Sequence, residues 1–296
     1  MLSIDPKEIS TPALHAYLLS AVAPRPIAFA STIDEEGKPN LSPFSFFNVF
    51  SANPPVMIFS PARRVRDNTT KHTLENARQT GEVVINVVTY AIVQQASLSS
   101  TEYPREVNEF IKAGLTMLPS ELVKPYRVAE SPVQFECKVK DIVALGTKGG
   151  AGNLIICEVV KMHLTEEVLD SNNRIDPHKI DLVSRMGGNW YCRSKMGMFE
   201  VPKPLSDLGI GVDALPEAVR KSDVFTGNDL GKLGNTAQLP GSAEVDIFIT
   251  ASEELRQVLR SRDERQIHKK AKEYLDRDEV LSAWKVLLAG TTENNE

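Results

Sequence analysis

Cysteine is scarce: Cys137, Cys157 and Cys192 are the three in 296 residues, and none forms a C-x-x-C pair. An odd, widely spaced set argues against a disulfide framework or a thiolate metal site, and two of the three sit inside strand-like runs, so buried reduced thiols are the simpler reading. An excess of positive charge is also missing. Lys and Arg number 34 against 39 acidic residues, a formal charge of −5. Nucleic acid and anionic membrane surfaces both require a basic field, so neither is an expected partner. No apolar run reaches the roughly 20 residues that span a bilayer, and MLSIDPKEIS lacks the basic and apolar regions of a secretory signal. The cytoplasm is the expected location. Aromatic residues make up only 6%, yet Phe44, Phe46, Phe47 and Phe50 crowd into one short stretch. With 42% apolar and 25% charged residues, the remainder is ordinary for a globular chain long enough to bury a large core.

The chain is organised around Ala23 to Pro61, APRPIAFASTIDEEGKPNLSPFSFFNVFSANPPVMIFSP. Pro26 to Ile33 reads as a strand, DEEGK as a hairpin turn, Asn40 to Phe50 as the return strand and Val56 to Phe59 as a third strand. Period-2 alternation puts Phe44, Phe46 and Phe50 on one face and Ser45, Phe47 and Val49 on the other. A strand with aromatic surface on both faces is central in its fold or has a flat ligand against one side.

Before this stretch, Ser10-Thr11-Pro12 caps a helix that ends by Pro24. After it, the basic, polar PARRVRDNTTKHTLEN leads into a helix over Lys71 to Gln79 that stops at Gly81, followed by a strand from Glu82 to Val88. Short helices are expected over Ile92 to Ser99 and Arg105 to Lys112, and a hairpin pairs Val133 to Leu145 with Asn153 to Leu164. Its connector, GTKGGAG, tempts a phosphate-loop assignment, but such loops feed a helix and here a strand follows. From Pro202 the character changes. Gly-, Asp- and Asn-rich stretches over 205–250 suggest a loop-rich extension, and the charged segment 251–296 carries apolar residues at helical spacing.

The run APRPIAF, the hairpin turn, SPFSFFNVFSANPP, KHTLEN and GEVVINVV, in this order and spacing, resemble the flavin reductase-like, FMN-binding split-barrel family. The resemblance covers about residues 10 to 200, so we set a split-barrel domain over 1–204. It implies a mainly β fold with flanking helices: an antiparallel split β-barrel that forms a homodimer and binds FMN near the subunit interface. An α-helical C-terminal extension follows it. By resemblance, Lys71 and Thr73 match phosphate-contacting positions, and His72 stands where an acidic residue is common. Pro26 and Ser45, Phe46, Phe47 and Asn48 match the part of the sheet on which the flavin lies, and RMGGNWY resembles a late motif near the flavin. The alternative for RMGGNWY is a tight turn with Trp190 and Tyr191 in the core. Arg25, stiffened between two prolines, either aims its guanidinium at the flavin or forms a structural ion pair.

FMN asks for positive charge and donors at its phosphate, donors at the pyrimidine edge and apolar surface for its ring. The start of the Lys71 helix, with Arg63, Arg64 and Arg66 close in sequence, offers the first. The expected function is an FMN-binding oxidoreductase that passes hydride from NAD(P)H to flavin. No metal is expected and no catalytic side chain is assigned, because hydride transfer needs only a donor stacked on the flavin. Many members carry a His at the start of the strand corresponding to Leu154 to Val160. Here Gly152 and Asn153 stand there, which bears against nicotinamide use and keeps a non-catalytic flavin carrier or sensor as the alternative. An assembly protein built on the C-terminal helices is a third reading.

Overall fold

A computed structural model describes residues 1–201 and 207–292, and the chain divides into two compact units, Met1–Phe199 and Glu200–Glu296. The boundary expected at 204 lies outside the described residues.

In the first unit, α1 (Thr11–Ala21) begins where Ser10 Oγ accepts from the Ala13 amide. Then come β1 (Ala28–Ile33), β2 (Pro39–Phe44), β3 (Phe47–Ala52) and β4 (Pro55–Phe59). The DEEGK turn closes because Asp34 Oδ1 accepts from the amides of Glu36 (3.0 Å) and Lys38 (2.9 Å). Next follow α2 (His72–Thr80), β5 (Glu82–Val87), α3 (Val93–Leu98) and α4 (Glu109–Ala113). The two-residue strands β6 (Met117–Leu118) and β7 (Arg127–Val128) form a small ribbon. The long hairpin β8 (Val133–Ala144) and β9 (Asn153–Leu164) precedes the short hairpin β10 (Val183–Arg185) and β11 (Tyr191–Arg193).

Seven strands pair antiparallel in the order β2-β1-β5-β8-β9-β4-β3. The edge strands β2 and β3 are consecutive in sequence and joined only by Ser45 and Phe46, so the sheet must roll until its edges meet. Bulges in β8–β9 and β3–β4 supply part of the curvature. The single return strand expected over Asn40 to Phe50 is therefore two strands at opposite edges. That break also overturns the face assignment. Phe44 and Phe47 both pack into the barrel interior, with Phe44 5.4 Å from the Phe59 ring, whereas Phe46 and Phe50 are exposed.

β1 is buried along its whole length. Ala28 and Ala30 face the barrel core beneath Leu74 and Ala77 of α2, and Phe29 faces a second core built with α3 and α4 around Phe110. At about 25 cal/mol per Å² of apolar area, each buried Phe or Leu side chain stabilises by roughly 1.5 to 3 kcal/mol.

The second unit is helical: α5 (Glu217–Arg220), α6 (Gly227–Gly234), α7 (Ser242–Thr250), α8 (Glu253–Arg260), α9 (Glu264–Leu275) and α10 (Val280–Thr292). The loop-rich extension expected over 205–250 thus holds three helices among its described residues. The Gly-rich α6 forms because Thr226 and Asp229 make a capping box and Leu233 is fully buried. The core is anchored by Trp284, whose Nε1 donates to the Leu233 carbonyl (3.2 Å) and Thr236 Oγ1 (3.1 Å). Among the described residues no helix is long and apolar enough to cross a membrane.

Candidate functional site

Two clefts of the first unit meet along β2 and the C-terminal end of α3, and Ser100 lines both. One has a volume of about 350 Å³, within the range of small-ligand sites. One side of it is apolar, from Ile27, Val88, Val93 and Ala96; Ser45, Ser97, Ser100, Arg185, Asn189 and Tyr191 make the rest of its lining polar. The other is narrow and polar, bounded by Arg64, Lys71, His72, Thr73 and Glu102.

The polar cleft is built on the start of α2. Lys71 is the N-cap and contributes no side-chain cap, which leaves the first-turn amides and the helix dipole to an anion. Lys71 Nζ lies 3.1 Å from Glu102 Oε1. Arg64 donates from Nε to the same oxygen at 2.8 Å and from Nη1 to Thr69 Oγ1 at 2.9 Å and to the Thr70 carbonyl. Hydrogen bonds from Arg64 and Lys71 pull the Glu102 carboxyl down to about 2. His72 is held below its ordinary value by burial and by Arg105, so the ring is neutral at pH 7.

Thr73 lines the polar cleft, but its hydroxyl is engaged inside the fold. The residue is 1% exposed, and its Oγ1 donates to Asn40 Oδ1 at 2.7 Å. Asn40 Nδ2 donates in turn to Glu109 Oε1 at 2.9 Å, while Glu109 Oε2 accepts from the Leu41 amide at 3.1 Å. Burial pushes the Glu109 carboxyl up. This satisfied network pins α2 to β2 and fixes where the first turn points.

The Arg25 guanidinium is taken up by backbone carbonyls, and among the described residues it makes no ion pair. At 6% exposure it donates from Nη1 to the Leu19 and Val22 carbonyls at the end of α1 and from Nη2 to the Met186 carbonyl at 2.9 Å. Its Nε lies 3.5 Å from Ser45 Oγ, and its backbone pairs with Arg185 through two 2.9 Å bonds. One side chain thus joins α1 to the β2–β3 link and the β10–β11 hairpin, and the last two contribute Ser45, Arg185, Asn189 and Tyr191 to the larger cleft.

Of the residues expected to face a cofactor, Ser45 lines the larger cleft and Lys71, His72 and Thr73 the narrow polar one. Pro26, Phe46 and Asn48 are exposed and line neither; Phe46 stands edge-on to His15 and Asn48 Oδ1 accepts from the Val49 amide. Phe47 is part of the barrel core. Glu102 was not singled out in the sequence, and Arg185, Asn189 and Tyr191 entered only as members of RMGGNWY. That run is the β10–β11 turn, but Trp190 is 78% exposed and Tyr191 faces the cleft under Arg185, 4.6 Å from its ring. GTKGGAG is the β8–β9 turn. It docks on the arginine loop, with Arg63 N to Ala151 O at 2.8 Å and Gly150 N to Arg63 O at 2.9 Å.

The flavin reductase like domain profile matches residues 20–179. The chain belongs to that family. An uncharacterised protein of Halalkalibacterium halodurans is 38% identical over 192 residues, which is 64% of this chain and 91% of that protein. Component B of the Bacillus cereus nitrilotriacetate monooxygenase is 30% identical, with a TM-score of 0.64 over 68% of this chain and 98% of that one. A split-barrel protein of Shewanella frigidimarina is 25% identical, with a TM-score of 0.58 over 69% of this chain and 100% of that one. The first unit is therefore the family's antiparallel split barrel, a fold of flavin-linked oxidoreductases, and the helical unit lies beyond the match. At the position where many members carry a His, a Cβ on Gly152 would stand 2.7 Å from Ser60 Oγ, and Asn153 is buried with Nδ2 on the Pro61 carbonyl (3.0 Å). Both positions are committed to packing.

Proposed function

We propose that the chain is an FMN-binding oxidoreductase that takes hydride from NAD(P)H and passes electrons to a further acceptor. The observation that carries this reading is the continuity of a ring-sized cleft, apolar along one side and polar along the other, with a pocket that holds Arg64 and Lys71 at a helix start. That is the division of chemistry FMN presents. Lys71, Arg64 and the first turn of α2 hold the phosphate; Ser45, Asn189 and Arg185 offer polar groups to the ring edge; Ile27, Val88, Val93 and Ala96 cover one face and exclude water. Bound flavin supplies the hydride acceptor, so the protein's task is to stack and orient rather than to provide a nucleophile or base. Thr73, Asn40 and Glu109 keep the phosphate seat in register, and Arg25 does the same for the ring cleft.

The flavin carrier or sensor stays as a second reading because Gly152 and Asn153 leave no imidazole at the strand start. We further propose a homodimer formed over the edge strand β3, where Val49 and Phe50 are exposed; Phe46 and Asn48 then become interface candidates bordering the flavin. The buried free thiols, Cys157 among them with burial pushing it up to about 12, suit a reducing cytoplasm. The test is the visible spectrum of the purified protein followed by anaerobic addition of NADH or NADPH. A yellow protein that bleaches rapidly supports the enzyme, a yellow protein that does not bleach supports the carrier, and a colourless protein that binds no added FMN overturns both.

A further inference from the structure

Two cations of the polar cleft, Arg64 and Lys71, converge on one carboxylate, and Arg66, outside the cleft, reaches it as well. Glu102 accepts from Arg64 Nε at 2.8 Å, Lys71 Nζ at 3.1 Å and Arg66 Nη2 at 2.5 Å. These are the donors an anion entering the cleft would need, and they stand at the first turn of α2, which no side chain caps. Glu102 is carried by the loop after α3, outside the barrel sheet, and its side chain is 32% exposed, so rotation into solvent meets no packed core. Arg66 is also paired with Asp67 at 3.0 Å, so the two cations that line the cleft, Arg64 and Lys71, exceed the single charge of Glu102, and a phosphomonoester brings up to two charges and three acceptor oxygens to the same seat.

We propose that Glu102 is a built-in competitor for the phosphate seat: it neutralises the cations when no ligand is bound, must swing out for a phosphomonoester to enter, and returns to speed its release. The inference rests on the flavin reading of the cleft. Its consequence is that the flavin is held exchangeably, as a substrate or shuttled carrier is, rather than as a locked prosthetic group. A carboxylate held by three charge-assisted hydrogen bonds is a substantial competitor, since each such bond is stronger than a neutral one. Removing its charge lifts that competition and leaves the donors in place.

The experiment measures FMN and riboflavin affinity by fluorescence titration, and FMN release by stopped flow, for the full-length protein and its Glu102→Gln and Glu102→Asp variants. The expected result is FMN affinity at least about 10-fold tighter in Glu102→Gln, with correspondingly slower release and riboflavin affinity within about twofold. Glu102→Asp, whose shorter side chain reaches the cations less well, falls between. Thermal unfolding without ligand should show Glu102→Gln melting lower than the parent and gaining more on FMN addition, because its cations repel one another until the phosphate arrives. FMN affinity unchanged or weakened in Glu102→Gln, with riboflavin unaffected, overturns the inference and makes Glu102 a support for the cations. Equal affinity of the parent for FMN and riboflavin overturns the phosphate reading of the cleft, and this inference with it.

Discussion

Gly149 lies against the backbone of Arg64 so closely that a Cβ at position 149 would stand 2.9 Å from the Arg64 carbonyl oxygen and from Val65 Cα. Both neighbours are main-chain atoms and cannot turn aside. The glycines of the β8–β9 connector therefore serve close approach: they let the hairpin brace the loop that carries Arg64 into the polar cleft.

Gly149→Ala should displace that loop. Overpacking of this kind costs about 1 to 3 kcal/mol, and the part that reaches Arg64 should weaken FMN binding by on the order of 10-fold with riboflavin affected less than twofold. The exposed neighbour Lys148, changed to Ala, is the control. Flavin titration decides, and FMN affinity equal to that of the parent would show that the connector does not position the arginine.

Asp181 clamps together the two ends of the β10–β11 hairpin. It accepts from Arg193 (2.6 and 2.8 Å) and Lys195 (2.9 Å), and the Arg193 guanidinium lies 3.8 Å from the Tyr90 ring centre. The Arg193 hydrogen bonds hold its carboxyl below the ordinary value near 3.8, down to about 2. Between those values the unfolded chain binds more protons than the folded one. The contribution is therefore complete above the unfolded pKa and is lost as pH falls through about 2. Asp181→Asn, tolerated at φ 49°, should melt about 2 to 4 °C below the parent at pH 7, and the difference should close near pH 2. A gap that persists there refutes the pairing.

Much of this architecture is legible in the residues. Ser10 before Pro12, the Asp34 turn and Gly81 at φ 66° each end or start an element through a local hydrogen bond or a backbone preference, so sequence alone places them. The break between Phe44 and Phe47 is different. Nothing local interrupts the alternation, and the chain leaves one sheet edge for the other only because β2 pairs with β1 and β3 with β4, which lie at opposite sides of the order. The same limit applies to the site. Lys71 is readable because a basic residue at a helix start has a local meaning, whereas Arg185 and Glu102 reach the clefts through pairings with Arg25 and Lys71, partners distant in sequence. Thr73 sits at the expected place but faces Asn40, a partner 33 positions earlier.

The homodimer proposal puts β3 at the interface. Val49 and Phe50 are 58% and 64% exposed on a sheet edge, an arrangement that invites pairing with a second copy. Static light scattering should give twice the chain mass at micromolar concentration, and Phe50→Glu should shift the population toward monomer. A flavin-loaded monomer for the parent protein would remove the proposal.

The neighbours Lys71 and Thr73 should part company when each is replaced by Ala. Lys71 lines the cleft and among the described residues its ammonium pairs with Glu102 alone, so its removal should leave the fold intact and take one charge-assisted bond from the phosphate. Such bonds are worth roughly 1.5 to 3 kcal/mol, or about 10- to 150-fold in affinity. Arg64 and the α2 amides remain, which favours the lower part of that range; riboflavin, lacking the phosphate, should bind as before. Thr73→Ala instead removes a buried hydroxyl from the Asn40–Glu109 network and leaves part of the polar capacity of Asn40 without its partner. A loss of about 1 to 2 kcal/mol of stability is expected, with both flavins weakened together as α2 loosens. Melting temperature and paired titrations separate the two cases. If Thr73→Ala kept its stability and lost only FMN, the hydroxyl would be reading the phosphate directly. If Lys71→Ala weakened both flavins alike, the helix start would be supporting the fold, and the phosphate seat would have to be sought elsewhere along the arginine loop.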